Sequence, residues 1–179
     1  MKRIYLIGYM GAGKTTIGKA LERHTSLSFI DLDYYIEGRF RKTISQLFAE
    51  KGEASFRELE RRMLHEVSEF EDVIISCGGG TPCFFDNISY MNECGKTIYL
   101  KVSVSELAAR LEGGKHTRPV LKNRSGEELR QFIQENLQAR SSFYEQAQVI
   151  FDAEAMTTVE DVNQIVEALL PIIGSADKR

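Results

Sequence analysis

Gly8-Tyr9-Met10-Gly11-Ala12-Gly13-Lys14-Thr15 carries glycines, a lysine and a hydroxyl at the spacing G-x-x-x-x-G-K-[ST]. That combination is built for phosphate. Backbone N–H groups must turn inward around the anion, which takes torsions that side chains penalise. The lysine reaches the β- and γ-phosphates and the Thr15 hydroxyl can ligate Mg²⁺. Further along, two carboxylates stand two residues apart at Asp31 and Asp33, and three glycines run together at Gly78-Gly79-Gly80. Arg57 is followed three residues later by Glu60, and Lys115, Arg118, Lys122 and Arg124 fall within ten residues of one another. Arg140 stands in a later periodic segment. Acids near a phosphate loop, and arginines whose planar fork suits an anion, are groups that nucleotide chemistry can use.

The elements that must hold these groups can be read from periodicity. Ile4-Tyr5-Leu6-Ile7 is a β-rich run before the loop, and Lys14 to His24 reads as a helix after it, so the helix N-terminus points at the anion. Ser28 to Ile30 reads as a strand. If extended geometry continues, Asp31 and Asp33 project to the same side with Leu32 facing away. One of them can instead cap the next helix, for which Asp is favoured. A short helix is expected over 34–41. Thr43-Ile44-Ser45-Gln46 has a capping-box pattern, and Gly52 ends that helix. From Glu53 to Phe70, Phe56, Leu59, Met63, Leu64 and Val67 recur at helical spacing. Arg57 lies one heptad before Leu64, near the buried face, and can pair with Glu60 on the same side; a solvated ion pair at the stripe's edge is equally compatible with the pattern.

Val73 to Cys77 is a compact apolar strand, and the glycines after it suit close approach of a ligand or another backbone. A helix over 87–94, a strand over 97–102 and a helix over 103–112 follow. The glycine-led basic segment Gly113 to Arg124 lacks periodicity and suits a lid closing over phosphates. Ser125-Gly126-Glu127-Glu128 opens a long helix with a capping-box pattern. On it Arg140 falls eleven residues after Leu129, almost whole turns, and so points inward in need of an anion. A last strand over 149–151 and a helix capped by Thr158 complete the chain. Strands alternating with helices imply a parallel sheet with right-handed crossovers.

The totals are those of one ordinary globular domain: 179 residues, 42% hydrophobic and 27% charged, with a formal net charge of -3. The acidic balance argues against a nucleic-acid or membrane-surface binder. Three cysteines with no C-x-x-C pair fit free thiols in a reducing compartment, and Cys77 reads as a small core residue. No apolar run reaches membrane-spanning length or forms a signal-peptide core, so a cytoplasmic protein is expected.

Taken together, G-x-M-G-A-G-K-T, D-L-D after the second strand, F-R-x-x-E, G-G-G-T-P, T-R-P-V-L and R-x-x-x-Y occur in the order found in the shikimate kinases, which this chain resembles over essentially its whole length. The resemblance implies an α/β, P-loop NTPase-type fold with a five-stranded parallel sheet flanked by helices and a mobile lid. It places a single kinase domain at 1–174, the lid at about 112–125, and a polar tail at 175–179. It implies transfer of a phosphoryl group from ATP to the 3-hydroxyl of shikimate on the route to chorismate and aromatic amino acids, with Mg²⁺ as cofactor and a monomer as the working unit.

Carried over to this sequence, ATP would be held by Gly11, Ala12, Gly13, Lys14, Thr15 and Thr16. Arg110 would stack on adenine, and Arg118 on the lid would reach the transferring phosphoryl group. Thr15 would ligate Mg²⁺ directly and Asp31 through water. Asp33 would bind the hydroxyls of shikimate and receive the proton, Arg57 and Arg140 would clamp its carboxylate with Glu60 orienting Arg57, and Gly79 and Gly80 would line the pocket; Lys14, Asp33 and Arg118 form the catalytic set. The strand before the glycines ends in Ser76 rather than Asp, so the acid supporting magnesium must come from elsewhere, and Asp31 is available. The rivals are other small-molecule kinases, acting on gluconate or a nucleoside monophosphate, and a nucleotide-dependent switch. The switch lacks its N-K-x-D motif here and gives Arg140 no purpose.

Overall fold

The computed structural model describes residues 2–113, 121 and 123–174. Of the expected lid, Lys115, His116, Arg118 and Lys122 lie outside the described residues, as does the tail at 175–179. Five strands, β1 (Arg3–Ile7), β2 (Ser28–Asp31), β3 (Val73–Ser76), β4 (Lys96–Lys101) and β5 (Val149–Asp152), form one sheet in the order β2-β3-β1-β4-β5, parallel at every junction. Between them run α1 (Lys14–His24), α2 (Leu32–Phe40), α3 (Ile44–Ser68), α4 (Asn87–Cys94), α5 (Val104–Gly113) and α6 (Gly126–Tyr144), with α7 (Val159–Ile173) closing the order. α1 packs on α7 and on β2 and β3, α2 on α3, α5 on α6, and α4 on β4.

The inner strands are apolar because helices cover both faces. Every residue of β3 is buried, as is β1 from Ile4 to Ile7. Cys77 is buried in the same core. Since all strands are parallel, the segments leaving β1, β2 and β3 emerge at one edge of the sheet, where ligands bind in open α/β folds. The glycine loop, the aspartates and the glycine triplet therefore meet there.

One choice left open by spacing is decided, and one expectation needs correction. Extended geometry stops at Asp31: Leu32 already begins α2, so Asp33 sits in the first turn of a helix. The cause is the cap itself. Asp31 Oδ1 accepts from the N–H groups of Asp33 and Tyr34 at 3.1 and 3.3 Å, which starts the helix immediately after it. The two acids thus share a neighbourhood through a helix start, not through strand alternation. At α6, Ser125 occupies the cap position but its hydroxyl makes no capping hydrogen bond. Gly126 is left-handed, with φ of 54°, and turns the first helical residue away from the box geometry. The boxes at Thr43–Gln46 and Thr158–Asp161 both form. Gly52 breaks the helical path with φ 75° and ψ 167°, so α3 is two helices joined across a kink.

Candidate active site

The phosphate loop passes from β1 into α1 through left-handed Gly11 (φ 83°) and Gly13 (φ 95°), conformations that favour glycine. α1 has no side-chain cap and no acidic residue in its first turn. A helix that begins this way directs its N-terminal N–H groups and dipole at an anion. They face a cavity of 410 Å³ whose walls include Gly11, Gly13, Lys14, Thr15, Thr16 and Arg110. Lys14 Nζ donates to the Gly8 and Tyr9 carbonyls at 2.8 and 3.0 Å, holding the ammonium against the loop. Ala12 is buried beneath the loop.

Across the same cavity stand Asp31 and Asp33. The Thr15 hydroxyl donates to Asp31 Oδ2 at 2.8 Å, so one carboxylate caps α2 with one oxygen and meets the phosphate loop with the other. A hydroxyl and a carboxylate oxygen side by side beside a phosphate site are the hard donors Mg²⁺ takes when phosphates and waters complete its shell. Among the described residues no cluster of three or more His, Cys, Asp or Glu could hold a metal alone. Arg110 donates to Glu106 at 2.8 Å, to the Gly11 carbonyl at 3.2 Å, and to the carbonyls of Ala153 and Glu154 at 2.8 Å each. It ties the phosphate loop to the segment that carries Met156, whose methyl would lie 2.1 Å from a Cβ at Gly13.

A second cavity of 380 Å³ adjoins the first and shares Met10, Asp33, Gly78 and Gly79 with it. Its other walls include Arg57, Glu60, Phe48, Gly80 and Arg140. Glu60 is 1% exposed, yet both its oxygens are satisfied: Arg57 donates to one at 2.8 Å and the Thr81 hydroxyl to the other at 2.6 Å. The Arg57 side chain is 11% exposed. The pair is therefore turned inward, which the periodicity left open. Gly80 makes room for it, since a Cβ there would lie 2.6 Å from Arg57 Nη2. Arg140, half-buried, lies 5.5 Å from the Tyr9 ring centre, and a Cβ at Gly79 would meet its Nη1 at 3.2 Å. The Tyr144 hydroxyl donates to the Gly79 carbonyl at 2.5 Å and pins the glycine floor to α6.

Asp33 stands at the shared wall. Burial, then the nearby Asp31 and Glu60 carboxylates, push its pKa up from 3.8 to about 6, with Lys14 pulling the other way. A carboxylate tuned to that range can take a proton near neutral pH. The Cys83 thiol, beside the second cavity, is pushed up to about 11 by burial, so it stays a thiol.

Of the residues singled out in the sequence, Gly11, Gly13, Lys14, Thr15, Thr16, Asp31 and Arg110 line the first cavity, Arg57, Gly80 and Arg140 line the second, and Asp33 and Gly79 line both. Arg118 lies outside the described residues. Gly78, expected with its two neighbours to allow close approach but given no pocket role of its own, would bring a Cβ within 3.1 Å of Asp33 Oδ1 and 3.3 Å of Glu60 Oε1. Spacing assigned no role to Thr81, Met156 or the Tyr144 hydroxyl; Met156 belongs to a stretch with no spacing to read.

The chain matches the shikimate kinase family model over residues 10–170. A shikimate kinase of Parabacteroides distasonis is 66% identical to it, over 97% of this chain and 100% of that protein. The crystal structure of shikimate kinase from Bacteroides thetaiotaomicron superposes with a TM-score of 0.93 at 52% identity, covering 96% of this chain and 98% of the other. Shikimate kinase from Acinetobacter baumannii in complex with shikimate superposes at 0.82 with 29% identity, over 97% and 93% of the two chains. A family model spanning nine-tenths of the sequence, with relatives this similar from end to end, means that the chain belongs to the shikimate kinase family.

Proposed function

We propose that the protein transfers the γ-phosphoryl group of ATP to the 3-hydroxyl of shikimate, giving shikimate 3-phosphate and ADP on the way to chorismate and the aromatic amino acids. The observation that carries the reading is the junction of two cavities at Asp33: a phosphate-loop cavity on one side, and on the other a cavity whose cations are Arg57 and Arg140. A substrate with a carboxylate at one end and hydroxyls at the other spans the second cavity, with its reacting hydroxyl at Asp33.

Phosphoryl transfer is catalysed mainly by positioning and charge stabilisation. Lys14 and the N–H groups of Gly11 to Thr16 would cradle the ATP phosphates, and Arg110 would lie beside the adenosine. Arg118, in the expected lid, would add charge at the transferring group. Thr15 would hold Mg²⁺ directly, with Asp31 behind it through water; the ion supplies charge neutralisation at the phosphates when bound. Asp33 would hydrogen-bond the acceptor hydroxyls and receive the proton as the oxygen attacks. Arg57 and Arg140 would clamp the carboxylate, where the guanidinium fork matches two oxygens, and Gly79 and Gly80 would let the substrate approach the backbone. Glu60 would hold Arg57 in place.

We further take the working unit to be a monomer in the cytoplasm. The three cysteines form no disulfide, which suits a reducing compartment. Among the described residues no helix is long and apolar enough to cross a membrane.

The test is coupled ADP release with shikimate, gluconate and nucleoside monophosphates offered side by side. ADP release that depends on shikimate and not on the others is expected. Folded protein that turns over gluconate or a nucleotide instead would overturn the reading.

A further inference from the structure

We propose that Phe84 is a positioning residue for the acceptor site, holding the Arg57 guanidinium in the orientation that receives a carboxylate. The inference rests on the reading of Arg57 as a carboxylate-binding group. The Phe84 ring centre lies 4.2 Å from Arg57 Cζ, nearer than the rings of Phe48 and Phe56, each at 5.5 Å. At this distance a ring attracts a guanidinium electrostatically, the more so in a partly desolvated site. Arg57 has a further need for such a contact. Its Nη1 is anchored on Glu60, but its Nε is buried with no hydrogen-bond partner among the described residues. Glu53, mostly exposed, stands 3.7 Å from Nη2 and constrains it little. One hydrogen bond leaves the fork free to turn about it; a ring packed on its face does not.

The segment carrying Phe84 is built to deliver it. Thr81 donates its hydroxyl to Glu60, and buried Asn87 donates to the Thr81 carbonyl at 2.8 Å, so both ends of the segment are fixed. Phe85 takes a left-handed conformation with φ of 52°, which a bulky residue adopts only at a cost. Next to it, Arg61 lies 5.3 Å from the Phe85 ring and pairs with Asp86 at 2.7 Å. Phe84, Phe85 and Asp86 therefore dock on Arg57 and Arg61, one turn apart on α3. The strained turn is held by these contacts, and its result is a ring placed on Arg57.

Phe84→Ala, Phe84→Leu and Phe84→Tyr separate the ring from mere bulk. Steady-state kinetics should show the KM for shikimate raised about 5- to 30-fold in the alanine and leucine variants. The KM for ATP and kcat at saturating shikimate should move by less than about 2-fold, and Phe84→Tyr should restore the shikimate KM. In parallel, the Arg57 Nε–H resonance of the substrate-free protein should be sharp in wild type and Phe84→Tyr, and broadened in the other two. That readout does not depend on shikimate, so a wild type inactive toward shikimate would sink the acceptor reading while the resonance still decides whether Phe84 orders Arg57. An unchanged shikimate KM in folded Phe84→Leu, or an unchanged Arg57 resonance, would overturn the assignment.

Discussion

Asp33→Asn should stabilise the protein while disabling it. In the fold, the carboxyl is pushed from 3.8 to about 6 by burial and by Asp31 and Glu60. Between those values the folded state binds the proton more tightly than the unfolded state. Stability from this group is therefore fully present below 3.8 and is lost as pH rises through 6. The full span corresponds to a cost of about 3 kcal/mol at alkaline pH, an upper bound because solvent reaches the half-buried group. Asparagine has nearly the same shape and no charge to bury, so it escapes this cost. Its advantage over wild type should grow by about 2 kcal/mol between about pH 4.5 and about pH 8, a widening of roughly 4–8 °C in the difference between melting temperatures for a domain of this size. The measurement is a thermal melt of both proteins at the two pH values without nucleotide or magnesium. Turnover should fall by about 10²-fold or more, the typical worth of a positioned proton acceptor. A melting difference that is the same at both pH values would refute the claim that Asp33 is held in a desolvated, like-charged site.

kcat/KM for shikimate should rise with pH to a plateau as Asp33 loses its proton, and this limb should vanish in Asp33→Asn. Lys14→Ala should abolish turnover with the far-ultraviolet spectrum and cooperative melt retained, because Lys14 lines the phosphate-loop cavity and its ammonium is held on the Gly8 and Tyr9 carbonyls at the cavity wall. Arg140→Ala should raise the KM for shikimate at least about 10-fold with little change for ATP, as a charge-assisted bond of about 1.5–3 kcal/mol is lost; equal losses for both substrates would argue against a carboxylate clamp. Gly80→Ala puts a methyl 2.6 Å from the Arg57 guanidinium, and should raise the shikimate KM while costing about 1–3 kcal/mol in a denaturant melt through overpacking.

Elements whose signal is local were legible in the sequence. The glycine loop, the helix from Lys14 to His24 and the capping boxes at Thr43 and Thr158 each declare themselves within a few residues, because the physics that forms them acts over one or two turns. The inward direction of Arg140 followed from helical spacing alone. What spacing left open was the relation of Asp31 to Asp33: continued extension would set them side by side, and the alternative, a helix cap, is the one that Asp31's side chain makes. A residue that both caps a helix and faces a ligand cavity satisfies two patterns, and only the hydrogen bonds to Asp33 and Tyr34 decide between them. The cavity around Arg57 was harder still. Arg57 and Glu60 announce a pair, but whether it is solvated or buried depends on Thr81, Phe84 and Gly80, some twenty residues later and brought alongside by a strand and a turn. The burial of Glu60 in turn helps raise Asp33. The phosphate-loop cavity is thus encoded in one short motif, whereas the cavity beside it is encoded in contacts between motifs, and that is where a sequence read by spacing loses its hold.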